Sequence, residues 1–200
     1  MPTVRFMTTG DAADVARLHA ESITEGFLSR LGPRFLRQLY IGVHQAEGSC
    51  VYVAEHEGRI LGFCAYARDV SAMYKRVLRA RFFRLGLASL PYSLNPRLLR
   101  EIFDTLRYPA KQAACDLPAA EILSISVSAE ARGTGTGRAL LEAVYERARA
   151  DGETKIKVLA GAKLDGANRF YQACGFTKVA ELTQHGETLN VYVRALETTS

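Results

Sequence analysis

The sequence predicts an α/β fold: a sheet flanked by helices, forming a single domain over residues 1–200. Two-residue alternation and helical periodicity follow one another along the chain in the order β-α-α-β-β-(insert)-β-α-β-α-β-β. The 200 residues are 48% apolar and 24% charged, enough to bury a core within one domain. A glycine-rich turn joins the clearest strand to the clearest helix.

Thr3–Met7 reads as a short strand, and Thr8 to Asp11 as a turn into a helix that Asp11 or Thr9 could cap. Val15, Leu18, His19 and Ser22 then recur at helical spacing. Pro33, favoured in a first turn, opens a second helix through Phe35, Leu36, Leu39, Tyr40 and Val43. Cys50–Glu55 and Arg59–Ala67 are strand-like, and Gly58 between them makes a hairpin. Residues 69–118 break this rhythm. Ser71–Leu87 reads as a basic amphipathic helix ending near Gly86, and Pro96–Leu106 as a second helix, with Pro91, Pro109 and Pro118 as punctuation.

Glu121–Ser128 is a strand in which Leu123, Ile125 and Val127 alternate with Ser124, Ser126 and Ser128. A helix from Gly137 to about Ala150 carries the apolar stripe Leu140, Leu141, Val144, Tyr145 and Ala148. Lys155–Ala160 is a strand, and Asp165–Cys174 a short helix with Gly175 at its C-terminal cap. Phe176–Leu182 and Thr188–Leu196 are the last strands.

Composition narrows the function classes. No apolar run is long enough to span a bilayer, and the N-terminus lacks the apolar stretch of a signal peptide, so the expected compartment is the cytoplasm. Cys50, Cys64, Cys115 and Cys174 form no CxxC pair and read as reduced, mostly buried thiols. His19, His44, His56 and His185 lack metal spacing and read as ordinary surface or helix residues; no metal is expected. The net charge of +5 is concentrated in the insert, where nine basic side chains face four acidic ones.

The strongest chemical signal is Val127-Ser128-Ala129-Glu130-Ala131-Arg132-Gly133-Thr134-Gly135-Thr136-Gly137-Arg138. A strand feeds three glycines in five residues, and these run into a helix. Successive backbone N–H groups in such a loop converge on one anion, and the helix N-terminus adds its positive dipole end. Arg132 and Arg138 can add charge. The loop lacks the Gly-Lys-Ser/Thr ending of a Walker A loop, and its alternating glycines do not match the Rossmann fingerprint.

Arg132-x-x-Gly135-x-Gly137 resembles the Gln/Arg-x-x-Gly-x-Gly/Ala signature of the GNAT superfamily of N-acetyltransferases. Asn168-Arg169-Phe170-Tyr171, followed by Gly175-Phe176, resembles the family's second motif. Gly133-Thr134 departs from it, since many members carry a second basic residue there. The resemblance implies a central mixed twisted sheet of about six to seven strands, with 69–118 as a helical insertion between strands three and four. It implies acetyl-CoA as cosubstrate. Ile125, Ser126 and Val127 would pair with the pantetheine arm, and Gly133, Thr134, Gly135, Thr136, Gly137 and Arg138 would cradle the pyrophosphate together with Arg132. Asn168 would meet the pantetheine or acyl end.

Acetyl transfer to an amine needs an unprotonated nucleophile, a polarised carbonyl and a proton for the departing thiolate. Glu121 is the candidate base; strand parity puts it on one face with Leu123, Ile125 and Val127, and a bulge would change that. The resemblance implies Tyr171 as the acid, since its place after Phe170 matches the family tyrosine, and a phenol suits the role because its pKa is close to that of a thiol. A backbone N–H near Val127 would polarise the carbonyl. The resemblance implies direct transfer in a ternary complex. A CoA-binding regulatory module without catalysis is the alternative. The acceptor, an amino sugar or other small amine, and the oligomeric state are open. The helix at 71–87 reads as a lid over an anionic substrate, a peripheral contact with an acidic membrane, or a solvated packing helix. A nucleic-acid partner is disfavoured because no known binding module is present.

Overall fold

The computed structural model describes residues 2–23, 27–89, 117–184 and 186–197. Insert residues 90–116, with the expected helix at Pro96–Leu106 and with Cys115, lie outside the described residues. The strands are β1 (Thr3–Phe6), β2 (Ser49–His56), β3 (Arg59–Ala67), β4 (Glu121–Val127), β5 (Lys155–Gly161), β6 (Thr177–Gln184) and β7 (Glu187–Ala195). The helices are α1 (Ala12–Ser22), α2 (Gly32–Gln45), α3 (Val70–Ser89), α4 (Thr136–Ala150) and α5 (Asp165–Ala173). The seven strands form one mixed sheet in the order β1-β2-β3-β4-β5-β7-β6. Every described ladder is antiparallel except β4–β5.

The sheet separates two cores. On one face α1, α2 and α3 bury Val15, Leu18, Leu36, Met73 and Val77 against Val51, Val53 and Phe63. On the other, α4 and α5 bury Leu140, Leu141, Val144, Tyr145 and Tyr171 against Cys64, Ile122, Ile156 and Val158. Each fully buried side chain of this size contributes about 1.5–3 kcal/mol.

Local chemistry explains most boundaries. Asp11 sits at the N-cap position of α1 but makes no side-chain cap bond. Its carboxylate instead accepts from the Thr8 backbone N–H at 2.7 Å and from Arg5 at 2.7 Å, and the Arg5 guanidinium holds its pKa at about 2. Pro33 falls in the first turn of α2, as its fixed φ favours. α3 runs past the expected end near Gly86 and is kinked at Arg81 (φ −128°, ψ 15°). Arg81 is buried at that kink, donating to Gln38 at 2.9 Å and Gln45 at 2.6 Å on α2. Cys50, Cys64 and Cys174 are buried free thiols.

His19 lies in α1, as its helical spacing predicts, and on the buried side of that helix. It is 2% exposed, and its Nδ1 lies 2.5 Å from the Tyr40 hydroxyl. Tyr40 lies in turn 2.7 Å from Ser124 Oγ, so one buried polar chain links α1, α2 and β4. His19 Nε2 is buried without a hydrogen-bond partner.

Substitutions at two glycines give the first outcome for stability. A Cβ on Gly42 of α2 would lie 2.7 Å from Val77 of α3, so Gly42→Val should cost about 1–3 kcal/mol in urea unfolding. Gly166 in α5 has nothing within 4 Å, so Gly166→Ala should stabilise by about 0.5–1 kcal/mol. The second outcome concerns pH. Burial lowers the His19 pKa from 6.5 to about 4, so the unfolded chain binds the proton more readily. The stability is complete above pH 6.5 and falls as pH drops toward 4, by an amount on the order of 3 kcal/mol. His44 acts in the same direction. Unfolding free energies measured across this window should show a shallower decline for His19→Asn; an unchanged slope would remove His19 as the cause.

Candidate active site

The site begins where the two central strands part. The β4–β5 ladder holds only Glu121↔Lys157 and Ile122↔Val158. Beyond these pairs β4 stays registered with β3 as far as Val127↔Gly62, and β5 stays registered with β7 as far as Gly161↔Leu189. The edges from Leu123 to Val127 and from Leu159 to Gly161 therefore face one another across an open fork. Their backbone groups can pair with an extended ligand arm.

The glycine turn closes the end of this fork. After Val127 a short 3-10 turn, Ala129–Ala131, leads to Gly133 (φ 76°) and Gly135 (φ 87°), both left-handed. A Cβ at either position would meet nothing within 4 Å, so glycine is required there by backbone conformation rather than crowding. Gly135 is the N-cap of α4 and provides no side-chain cap. The first-turn N–H groups of α4 thus lack intrahelical partners and point out of the helix end. Thr134 Oγ1 braces the turn, donating to the Ala131 carbonyl at 2.8 Å and lying 2.8 Å from Thr136 Oγ1. Gly137 lets Phe170 of α5 approach, since a Cβ there would sit 3.1 Å from its ring.

The two arginines have internal partners. Arg132 Nε donates to the Val127 carbonyl at 3.3 Å, and Arg138 donates to the Ala173 carbonyl at 3.1 Å. Both are exposed contacts, with further guanidinium N–H groups remaining for an anion. Ser126 is buried and turns toward α1, where its Oγ meets the Leu18 carbonyl at 3.4 Å. Ile125 and Val127 pack on the α4–α5 side.

Asn168 is committed within the protein. Its amide nitrogen donates to the carbonyls of Gly161 at 3.0 Å and Leu164 at 2.8 Å. Its oxygen accepts from Asn190 at 2.9 Å and from the Tyr192 hydroxyl at 2.9 Å. These bonds pin α5 to the end of β5 and to β7, so the side chain shapes the fork wall.

Glu121 differs from the parity expectation. The β3–β4 register shifts between Ala65 and Tyr66, placing a bulge at Leu123. Ile122, Ile125 and Val127 consequently join the α4–α5 core, whereas Leu123 packs with the opposite one. Glu121 lies on the α1–α3 face with Lys157, whose neighbours Ile156 and Val158 point the other way. The carboxylate is 3.5 Å from Lys157 Nζ, and both groups are buried. Burial lowers the Lys157 pKa while Glu121 opposes that shift. Lys157 also donates to the carbonyls of Pro118 and Ala119. Tyr74 of α3 lies within range of the Glu121 charge.

Tyr171 stands on the other face, with its ring against Phe170, Phe176 and Tyr192. Burial raises its pKa strongly, so the phenol keeps its proton at neutral pH. It shares this core with Cys64, the ladder partner of Ile125.

Lys157, Asn190 and Ser128 were not singled out in the sequence. A lysine between isoleucine and valine in a strand was the available signal for Lys157. Ser128 Oγ and Asn190 Oδ1 are buried without partners, one at the mouth of the turn and the other on β7 opposite Ala160. Among the described residues no group of three or more His, Cys, Asp or Glu could hold a metal ion.

Solved proteins share this fold. The N-acetyltransferase of Staphylococcus aureus Mu50 is similar over 98% of this chain and 99% of its own, with a TM-score of 0.64 at 18% identity. The Salmonella typhimurium protein yncA, solved with its cofactor acetyl-CoA, aligns over 100% and 96%, with a TM-score of 0.63 at 18% identity. A ribosomal-protein-alanine N-acetyltransferase from Brucella melitensis aligns over 97% and 99%, with a TM-score of 0.62 at 19% identity. At these identities the likeness concerns the fold. No curated protein matches the sequence. The model of the acetyltransferase (GNAT) family matches residues 13–176, and the chain belongs to that family.

Proposed function

We propose that the protein is an N-acetyltransferase that carries acetyl from acetyl-CoA to a primary amine, such as an amino sugar or other small amine, in one ternary complex. The observation that carries this reading is the open β4–β5 fork ending on the left-handed glycine turn and the uncapped start of α4. The site fits acetyl-CoA on its own terms: an unpaired strand edge suits an amide-bearing arm, and converging N–H groups suit a pyrophosphate. Acetyl-CoA supplies an activated thioester carbonyl.

In this reading Ile125 to Val127 hold the arm by their backbone, and a β4 N–H near Val127 polarises the carbonyl. Gly133 to Arg138 hold the pyrophosphate with Arg132, and Asn168 fixes the wall beside it. Glu121 accepts the amine proton, and Tyr171 donates one to the departing thiolate. They occupy opposite faces of the sheet, so the nucleophile and the leaving group are served from opposite sides of the fork.

Acetyl-CoA should raise the melting temperature, and Gly135→Val, which forces a branched side chain into φ 87°, should abolish that rise. An unchanged shift in the variant would remove the cofactor assignment. An acceptor screen reading free thiol over amino sugars, amino acids, polyamines and peptides identifies the amine; cofactor binding with no turnover on any class would favour a regulatory module.

Tyr171→Phe should lower turnover by ~10²-fold with acetyl-CoA affinity nearly intact. Glu121→Gln should lower turnover at neutral pH, with recovery at alkaline pH, where the amine arrives deprotonated. It should also destabilise the fold by about 3–5 kcal/mol, because it strands the Lys157 ammonium. Glu121→Gln/Lys157→Met separates the two effects. Restored stability with turnover still low supports the base; turnover returning along with stability makes the carboxylate a structural partner of Lys157.

A further inference from the structure

α3 is apolar on two sides. Its inner face places Val70, Met73, Val77 and Leu85 in the core shared with α2. Its outer face exposes Phe82 (66%), Phe83 (86%) and Leu87 (70%). Three large exposed apolar residues within six positions of one helix are unusual for a protein surface that faces only water. At about 100° per residue, Phe83 falls near the middle of the exposed arc, with Phe82 and Leu87 to either side.

The charge on this face has one sign. α3 contains Lys75, Arg76, Arg79, Arg81 and Arg84 and no acidic residue. Arg76 pairs with Glu47 at 3.1 Å, and Arg81 is turned inward to Gln38 and Gln45. Lys75, Arg79 and Arg84 are exposed and form no ion pair with a described residue; Arg79 and Arg84 lie within four residues of the aromatic pair along the helix. The kink at Arg81 separates the anchored first part of the helix from the part that presents the phenylalanines.

We propose that the outer face of α3 docks on an anionic lipid surface, with Phe82, Phe83 and Leu87 entering the headgroup–acyl boundary and Lys75, Arg79 and Arg84 contacting lipid phosphates. An aromatic centre with a basic rim matches the two forces that hold a peripheral helix at an interface, apolar burial and attraction to negative headgroups. A soluble anion would account for the arginines but not for the exposed rings. A neutral protein groove would account for the rings but not for the uniform charge.

The test uses the full chain with vesicles of phosphatidylcholine alone and of equimolar phosphatidylcholine and phosphatidylglycerol. The protein should sediment with the anionic vesicles, lose that binding as salt rises, and ignore the neutral ones. Phe82→Ser/Phe83→Ser should weaken binding at least about tenfold, and Arg79→Gln/Arg84→Gln about thirtyfold. Both variants should keep the melting temperature and its rise with acetyl-CoA. Because the chain has no tryptophan, Phe83→Trp gives a second readout: its emission should shift to the blue on anionic vesicles. No sedimentation with anionic vesicles, or unchanged Phe83→Trp emission, overturns the proposal. So does a lowered melting temperature in the serine variant without vesicle binding by the wild type, which would mean that protein covers this face. Binding to duplex DNA at low salt that survives the serine substitutions, with no vesicle binding, overturns it in favour of nucleic acid.

Discussion

The arrangement of the site depends on the separation of two parallel strands after two paired residues. Parallel strands in a sheet ordinarily stay bonded along their length, because each unpaired N–H and C=O in a dry interior costs free energy. Here β4 and β5 separate beyond Ile122 and Val158, and each stays paired with its outer neighbour, β4 with the one bulge at Leu123. The sheet is therefore continuous around the fork although its central ladder is short. At the closed end stands the buried Glu121–Lys157 pair, the first of the two shared positions, with Lys157 also bonded to the chain leading into β4. Such a pair contributes little net stability after desolvation. Its charges are matched only when β4 and β5 meet in this register.

The two faces of the sheet have different duties. The α4–α5 face holds the glycine turn, the start of α4 and the Tyr171 cluster, and Asn168 ties α5 to β5 and β7. The α1–α3 face is knitted by the His19–Tyr40–Ser124 chain and by close packing of α2 on α3 at Gly42. That chain ends on β4 just past the last residue paired to β5, so α1 and α2 support the strand where it loses its neighbour. A polar chain in a core is orientation-dependent in a way that apolar packing is not, and it holds the strand in one register.

The bulge at Leu123 couples these features. One extra residue in β4 lets Glu121 face Lys157 and α3 while Ile125 and Val127 face α4. Without it the strand would carry Glu121 into the apolar core on the α4–α5 face, away from its partner Lys157. Bulges bend and twist a strand locally, and this one lies where β4 turns away from β5.

The amino-acid sequence by itself determined the class of fold, the seven strands, most helix boundaries and the glycine turn. These are written in short-range patterns: alternation in Leu123–Ser128, the helical stripe of Leu140 to Ala148, and glycines where the backbone turns left-handed. The motif around Asn168 and Tyr171 was equally legible, although the internal bonds of Asn168 were not. Tertiary structure alone decided the fork, the bulge, the burial of His19 and the partner of Glu121. Each depends on a contact between residues far apart in sequence, such as Glu121 with Lys157, His19 with Tyr40, or Ala65 against Ser124. Periodicity reports the environment of a segment relative to itself. Register, and with it the face on which a catalytic candidate stands, is set by the neighbouring strand.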